Sequence, residues 1–209
     1  MLVISLMMVM VMGCDTQDGI ESLPFYAERT FTPDWTAPEA LPRDFHRVPD
    51  FSLTDQRGEA VTEADMDGNI TVVNYFFATC SGICPKLSAS MKAVDAAFGE
   101  DAALMLLSHS ATPDKDTVEA LASFAQREGV ASGRWHLLTG ERSLIYRLGR
   151  EAYFIEEDLG EERSEDDFIH SENIVLLDGE RRLRGVYSGL NPSAVQQLIR
   201  DIATLMEEG

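Results

Sequence analysis

The sequence predicts an α/β fold, a mixed central sheet flanked by helices with an N-terminal β-hairpin extension. Three observations predict it. From about Asp50 onward, short apolar and β-branched runs alternate with stretches whose apolar residues recur at helical spacing. Their order is strand, helix, strand, helix, strand, then strand, strand, helix, which suits one sheet covered on both faces. Gly, Pro and Asp-Gly steps separate the runs where turns are needed.

Taken in order, Phe51-Ser52-Leu53 and Ala60-Val61-Thr62, joined by Asp55-Gln56-Arg57-Gly58, form the hairpin. Thr71 to Phe77 is β-branched and aromatic, as a buried strand requires. Cys84 to Phe98 follows as a helix, with Pro85 in its first turn and Leu87, Met91, Val94 and Phe98 on one face. Ala103 to Ser108 is the next strand. Pro113-Asp114 opens a helix through about Arg127, with Val118, Leu121 and Phe124 or Ala125 inward, and Gly129 stops it. Trp135 to Leu138 is a short strand and Arg142 to Gly149 a short helix. Glu172 to Leu177 and Leu183 to Tyr187 are strands turning at Asp178-Gly179. Asn191-Pro192-Ser193 starts a final helix to about Met206, carrying Val195, Leu198, Ile199, Ile202 and Leu205 on one side. This order is thioredoxin-like.

The 209 residues divide into three parts. Residues 1–14 read as an export signal: Met1 to Met12 are apolar apart from Ser5, too short a run to span a bilayer. Val11-Met12-Gly13-Cys14 resembles the lipobox of bacterial lipoproteins, with Cys14 as the lipidated residue and Asp15 resembling an inner-membrane retention signal. No Lys or Arg precedes the apolar run, which departs from the usual pattern. Residues 15–49 hold five of the eight prolines and read as a flexible Pro-rich tether. Residues 50–209 are the folded domain. The expected location is the bacterial cell envelope, lipid-anchored at the periplasmic face of the inner membrane.

Seventeen basic against 36 acidic residues give a net charge of −19. Such a field repels nucleic acid and favours cations or basic protein surfaces, besides keeping a domain soluble. With Cys14 lipidated, the three cysteines leave one pair, Cys80 and Cys84. An oxidising compartment lets that pair cycle between dithiol and disulfide.

Thr79-Cys80-Ser81-Gly82-Ile83-Cys84-Pro85 lies where the first long strand yields to a helix. Sites in open α/β sheets gather at the carboxyl ends of strands, and a helix N-terminus favours thiolate over thiol. A structural disulfide across so small a loop gains little chain entropy. Ordinary thioredoxin-like oxidoreductases place two residues between their cysteines; here there are three. A dithiolate is a soft ligand pair for Cu(I) or zinc, but a structural zinc site wants four protein ligands and no second cysteine pair exists. Two sulfurs and an imidazole suit copper that must later be handed on.

Several segments then fall in a telling order. Phe51-Ser52-Leu53-Thr54-Asp55-Gln56, the following strand and Cys-x-x-x-Cys-Pro are similar to the opening of the Sco/SenC family. Asp114-Lys115-Asp116-Thr117 resembles its Pro-x-x-Asp-Thr segment, and Leu138-Thr139-Gly140 its Leu-Thr-Gly. Ile169-His170-Ser171 before Ile174 to Asp178 resembles the stretch ending in its metal-binding histidine. The resemblance implies a copper site of Cys80, Cys84 and His170, with copper as Cu(I) or Cu(II). It implies a role in maturing the copper centre of cytochrome c oxidase, the partner being that oxidase's copper-bearing subunit or another copper chaperone. Some members act instead as thiol-disulfide reductases. Two departures stand out: Ser81 follows the first cysteine where proline is frequent, and Ser108-His109-Ser110-Ala111 replaces a valine-aspartate step.

Of the other histidines, His46 reads as surface and His136 as packing within a strand. His109 ends a strand beside the one that feeds Cys80, which makes it a candidate to hydrogen-bond and orient a ligand from behind, or to serve as an auxiliary ligand itself. The acidic run between 156 and 167 reads as a solvated loop or a cation-attracting rim. The expected activity is that of a carrier rather than a turnover enzyme. The alternative is an extracytoplasmic thiol-disulfide oxidoreductase, in which one cysteine attacks a partner's disulfide and the other resolves it. A peroxidase on the same fold fits less well, since no Thr-x-x-Cys run is present.

Overall fold

A computed structural model of the chain describes residues 22–78, 84–100, 102–156 and 171–208. Its elements are β1 (Ser52–Thr54), β2 (Ala60–Thr62), β3 (Ile70–Phe76), α1 (Cys84–Ala96), β4 (Leu104–Ser110), α2 (Val118–Glu128), β5 (Trp135–Leu138), α3 (Arg142–Arg147), β6 (Asn173–Leu177), β7 (Leu183–Ser188) and α4 (Pro192–Glu208).

The central sheet runs β5-β4-β3-β6-β7. β3, β4 and β5 are parallel, while β6 pairs antiparallel with both β3 and β7. β1 and β2 form a separate hairpin, paired Leu53 to Val61 and joined to the tip of β5 through Thr54 and Thr139. This is the mixed α/β, thioredoxin-like architecture that the order of elements predicts.

Alternation along the strands builds two cores. Val73 and Tyr75 of β3 and Leu107 of β4 face one side, where they meet Leu53 and Val61 of the hairpin and Ile145 of α3. Val72, Phe76 and Leu106 face the other, against Met91 and Val94 of α1, Leu121 and Phe124 of α2, and Leu198 and Ile202 of α4. Every residue of β3 and β4 is buried, as expected for central strands covered on both faces. The polar side chains among them pair with one another: Ser108 Oγ donates to Asn74 Oδ1 at 2.6 Å and accepts from Trp135 Nε1 at 3.0 Å.

Most element boundaries shift from the sequence reading by a residue or two, and three of the shifts have a visible cause or consequence. β4 continues to Ser110, two residues further, because Tyr75 and Phe76 extend their register with His109 and Ser110. α2 starts at Val118 rather than near Pro113, since Thr117 caps it by accepting from Ala120 N, leaving 112–116 as a turn. Gly129, at φ 70°, ends it as expected. α3 gives way after Arg147 to a single π-helical turn over Leu148–Ala152.

The largest difference concerns the stretch expected to be a tether. Over residues 22–49 the chain lies on the domain. Phe25 and Val48 are buried, Tyr26 N donates to Leu183 O, and Val48 N donates to Arg181 O. Arg182 and Arg184 place their guanidinium carbons 4.9 and 4.2 Å from the centre of the Phe25 ring. Arg184 also donates to the carbonyls of Leu23 and Pro24 and pairs with Glu208. Proline content suggested an extended segment, but two aromatic-arginine contacts and a few backbone bonds suffice to fasten it.

Candidate metal centre

The chain leaves β3 through Phe77 and Ala78 and re-enters the described residues at Cys84, the first residue of α1. Ala78 is fixed at both of its backbone groups: its N–H donates to Asp116 Oδ2 at 3.4 Å and its carbonyl accepts from Arg127 Nη2 at 3.3 Å. One residue-pair back, Phe76 O accepts from Ala111 N at 2.8 Å. The exit from β3 is therefore held by the segment that follows β4.

The entry to β6 is held as well. Ser171 N donates to Ile155 O at 2.9 Å, and Glu172 O accepts from Gly189 N at 3.0 Å. The antiparallel register pairs Val73 with Val175 and Thr71 with Leu177. The carboxyl end of β3 and the amino end of β6 thus lie at one end of the sheet, on adjacent strands. Ala78 precedes the Cys80 segment at that end, and Ser171 follows His170 there. Cys80 and His170 themselves lie outside the described residues, as do Cys14 and residues 157–167 of the acidic run; of that run, Glu156 is described and pairs with Arg150 at 2.9 Å.

His109 occupies a different layer. It is buried in the core on the Tyr75 side of the sheet, ringed by Tyr75, Tyr153 and Phe51 at centroid distances of 5.1, 5.3 and 6.4 Å. Among the described residues neither ring nitrogen has a hydrogen-bond partner, and neither has the nearby Tyr153 hydroxyl. Burial alone pulls the imidazole pKa down to about 3, so the ring is neutral throughout the physiological range. His46, expected at the surface, is half-buried instead: its Nε2 lies 2.9 Å from Ala152 O and its ring stacks on Phe154 at 4.8 Å. The docked N-terminal segment carries it there. His136 packs as expected, with Nδ1 3.1 Å from Asp55 Oδ2.

Asp116 has a role that the sequence alone does not reveal. It is wholly buried. One oxygen, Oδ2, accepts from Ser110 Oγ at 2.6 Å, Thr112 Oγ1 at 3.1 Å and Ala78 N. Hydroxyls six and four residues before an aspartate in a Pro-containing turn were the available signal. In the sequence Asp116 stands out only within the family-like Asp114-Lys115-Asp116-Thr117 segment, with no role of its own assigned.

A family model described as SCO1/SenC matches residues 40–207. The chain belongs to the SCO1/SenC family. Among its relatives, the SCO1 protein homolog of Bacillus subtilis is 23% identical over 159 residues, covering 75% of this chain and 81% of that one. The mitochondrial SCO2 homolog of Bos taurus is 30% identical over 145 residues, and this SCO1/SenC chain spans about half that relative's length (53%). A SCO1/SenC family lipoprotein from Bacillus anthracis superposes with a TM-score of 0.66 at 26% identity, covering 77% of this chain and 95% of the other. Arabidopsis thaliana ScoI, solved with copper bound, shares the fold with a TM-score of 0.60 at 21% identity, covering 77% and 98%. No helix among the described residues is long and apolar enough to cross a membrane.

Proposed function

We propose that this SCO1/SenC chain is a copper carrier that loads a respiratory oxidase copper centre through Cys80, Cys84 and His170. The observation that carries the reading is the β3–β6 pairing: the stub leading to Cys80, the helix opening at Cys84 and the stub following His170 converge on one end of the sheet. The donor set is chemically apt. Two thiolates and one imidazole match copper's preference for soft ligands, and three donors leave room for an incoming ligand. Membership of a family whose members include copper-bound structures and cytochrome c oxidase assembly proteins supports the same reading.

In this account reduced Cys80 and Cys84 capture copper and His170 completes the set. A partner's cysteines then displace these ligands one at a time, so the ion moves without being released to water. The partner is an oxidase subunit that bears copper, or another copper chaperone. Oxidation of Cys80 and Cys84 to a disulfide removes both thiolates and stops capture, so the supply of electrons gates the carrier. The chain works from the envelope, anchored at the membrane through lipid on Cys14; the lipoprotein among its structural relatives supports that anchorage.

The test is copper stoichiometry on the reduced chain and on Cys80→Ser, Cys84→Ser and His170→Ala. One copper per wild-type chain, lost in both cysteine variants and weakened in His170→Ala, is the expected result. Equal, weak binding by all four would turn the reading toward a thiol-disulfide oxidoreductase, which needs the two sulfurs and has no use for His170.

A further inference from the structure

Ala78, two residues ahead of Cys80, is gripped by two side chains of opposite charge, and both come from the crossover between β4 and β5. A buried carboxylate is costly unless donors surround it. Asp116 has three, all on Oδ2, while Oδ1 is buried with no partner among the described residues. The turn it sits in does not need a buried charge. α2 is already capped by Thr117, and Ser110 also accepts from Thr112 N without help from Asp116. What the carboxylate does reach is the peptide N–H of Ala78. Arg127 leaves the last turn of α2, crosses the Phe124 ring at 5.6 Å and ends on the Ala78 carbonyl. The anion meets the N–H and the cation meets the C=O, so the pair fixes position and orientation together.

We propose that Asp116 and Arg127 are positioning residues for the dithiol, holding the Ala78 peptide so that the chain enters the Cys80 loop in the geometry copper requires. The inference rests on the reading of Cys80 and Cys84 as copper ligands. Ligands whose supporting backbone is fixed before the metal arrives lose less affinity to the entropy of binding. Asp116 acts here through hydrogen bonding. An amide whose oxygen takes the place of Oδ2 keeps all three bonds, which separates this role from one that depends on negative charge.

The experiment compares the reduced chain with Asp116→Ala, Asp116→Asn and Arg127→Leu. Copper(I) affinity is read by competition with a chromogenic chelator. In the metal-free proteins, hydrogen exchange at the Ala78 amide is compared with exchange at Val73 in β3, which reports global opening. Asp116→Ala should bind copper(I) about tenfold more weakly and expose the Ala78 amide while Val73 stays protected. Arg127→Leu should lose about threefold. Asp116→Asn should keep both the affinity, within about threefold, and the protection. Wild-type affinity and protection in Asp116→Ala would overturn the proposal. So would an Asp116→Asn variant as weak as Asp116→Ala, because charge rather than hydrogen bonding would then be at work. Should Asp116→Ala fail to fold, unchanged affinity in Arg127→Leu together with a weakened Asp116→Asn overturns it equally. If the wild-type chain binds no copper, the carrier reading fails, and exchange at Ala78 still decides whether these two residues hold the loop.

Discussion

The imidazole of His109 lies almost flat on the ring of Tyr75, with centroids 5.1 Å apart and planes 19° from parallel. The two residues are direct neighbours in the parallel β3–β4 register. The stack fills the core, and no described residue satisfies either ring nitrogen, so His109 is held by packing and opposed by its own polarity.

That opposition should show as acid sensitivity. The folded-state pKa of about 3 lies below the unfolded value of 6.5, so the unfolded chain takes up the proton first as pH falls. Stability is unaffected above pH 6.5 and declines through the window down to about 3, with a slope approaching about 1.4 kcal/mol per pH unit. His109→Phe removes this dependence. Unfolding free energies from urea titrations at pH 7 and pH 4.5 should converge in the variant by about 2 to 3 kcal/mol relative to wild type. An identical pH slope in the two proteins would show that the ring is not buried neutral.

The hydrogen-bonded line across the other face makes a second prediction. Ser108 Oγ serves both Asn74 and Trp135, all three buried. Ser108→Ala orphans two polar groups at once and should cost about 2 to 3 kcal/mol, seen as a lower thermal midpoint. A change under about 0.5 kcal/mol would mean that the line is not closed in solution.

Gly189 sits where the turn after β7 touches the entry to β6. A Cβ there would come within 2.6 Å of Leu87 Cδ2 and 2.9 Å of the Glu172 carbonyl. The side chain can shift; the carbonyl belongs to the stub two residues past His170 and has little freedom. Gly189→Ala should therefore destabilise by about 1 to 3 kcal/mol and weaken copper binding more than Ser193→Ala in the exposed first turn of α4. Equal copper affinity in the two variants would dissociate this contact from the site.

A fourth prediction concerns transfer. Neutralising Glu161, Glu162, Glu165, Asp166 and Asp167 to their amides should slow copper delivery to a basic partner, and the difference should shrink as salt rises. Rates that match wild type at low salt would leave the run as solubilising charge alone.

The fold was legible because long periodic segments carry it: β3, α1, β4 and α4 follow directly from their apolar spacing. The sequence singles out the thiol pair because Cys80 and Cys84 flank a strand-to-helix junction, and its role as a metal site stands as the proposal that copper stoichiometry tests. What escaped was contact between distant residues. Nothing local marks Phe25 as the filling between Arg182 and Arg184, and a run of prolines argued for the opposite. Asp116 escaped for the same reason. An aspartate in a turn is ordinary, and only the fold reveals that its oxygen reaches a peptide 38 residues earlier. His109 was read as a candidate near the site because it ends a neighbouring strand, but strand alternation turns it into the aromatic layer with Tyr75.

The fastening of residues 22–49 changes the reach of the molecule. Were all 35 residues from 15 to 49 free, the domain could wander up to about 120 Å from the lipid proposed on Cys14. With the chain clasped from Leu23 onward, eight residues separate Cys14 from the clasp, and the greatest span between the two is about 30 Å. On the proposed anchorage and carrier role, so short a leash confines the domain to a thin layer over the bilayer, and its traffic is with copper sites that ride close to the same surface.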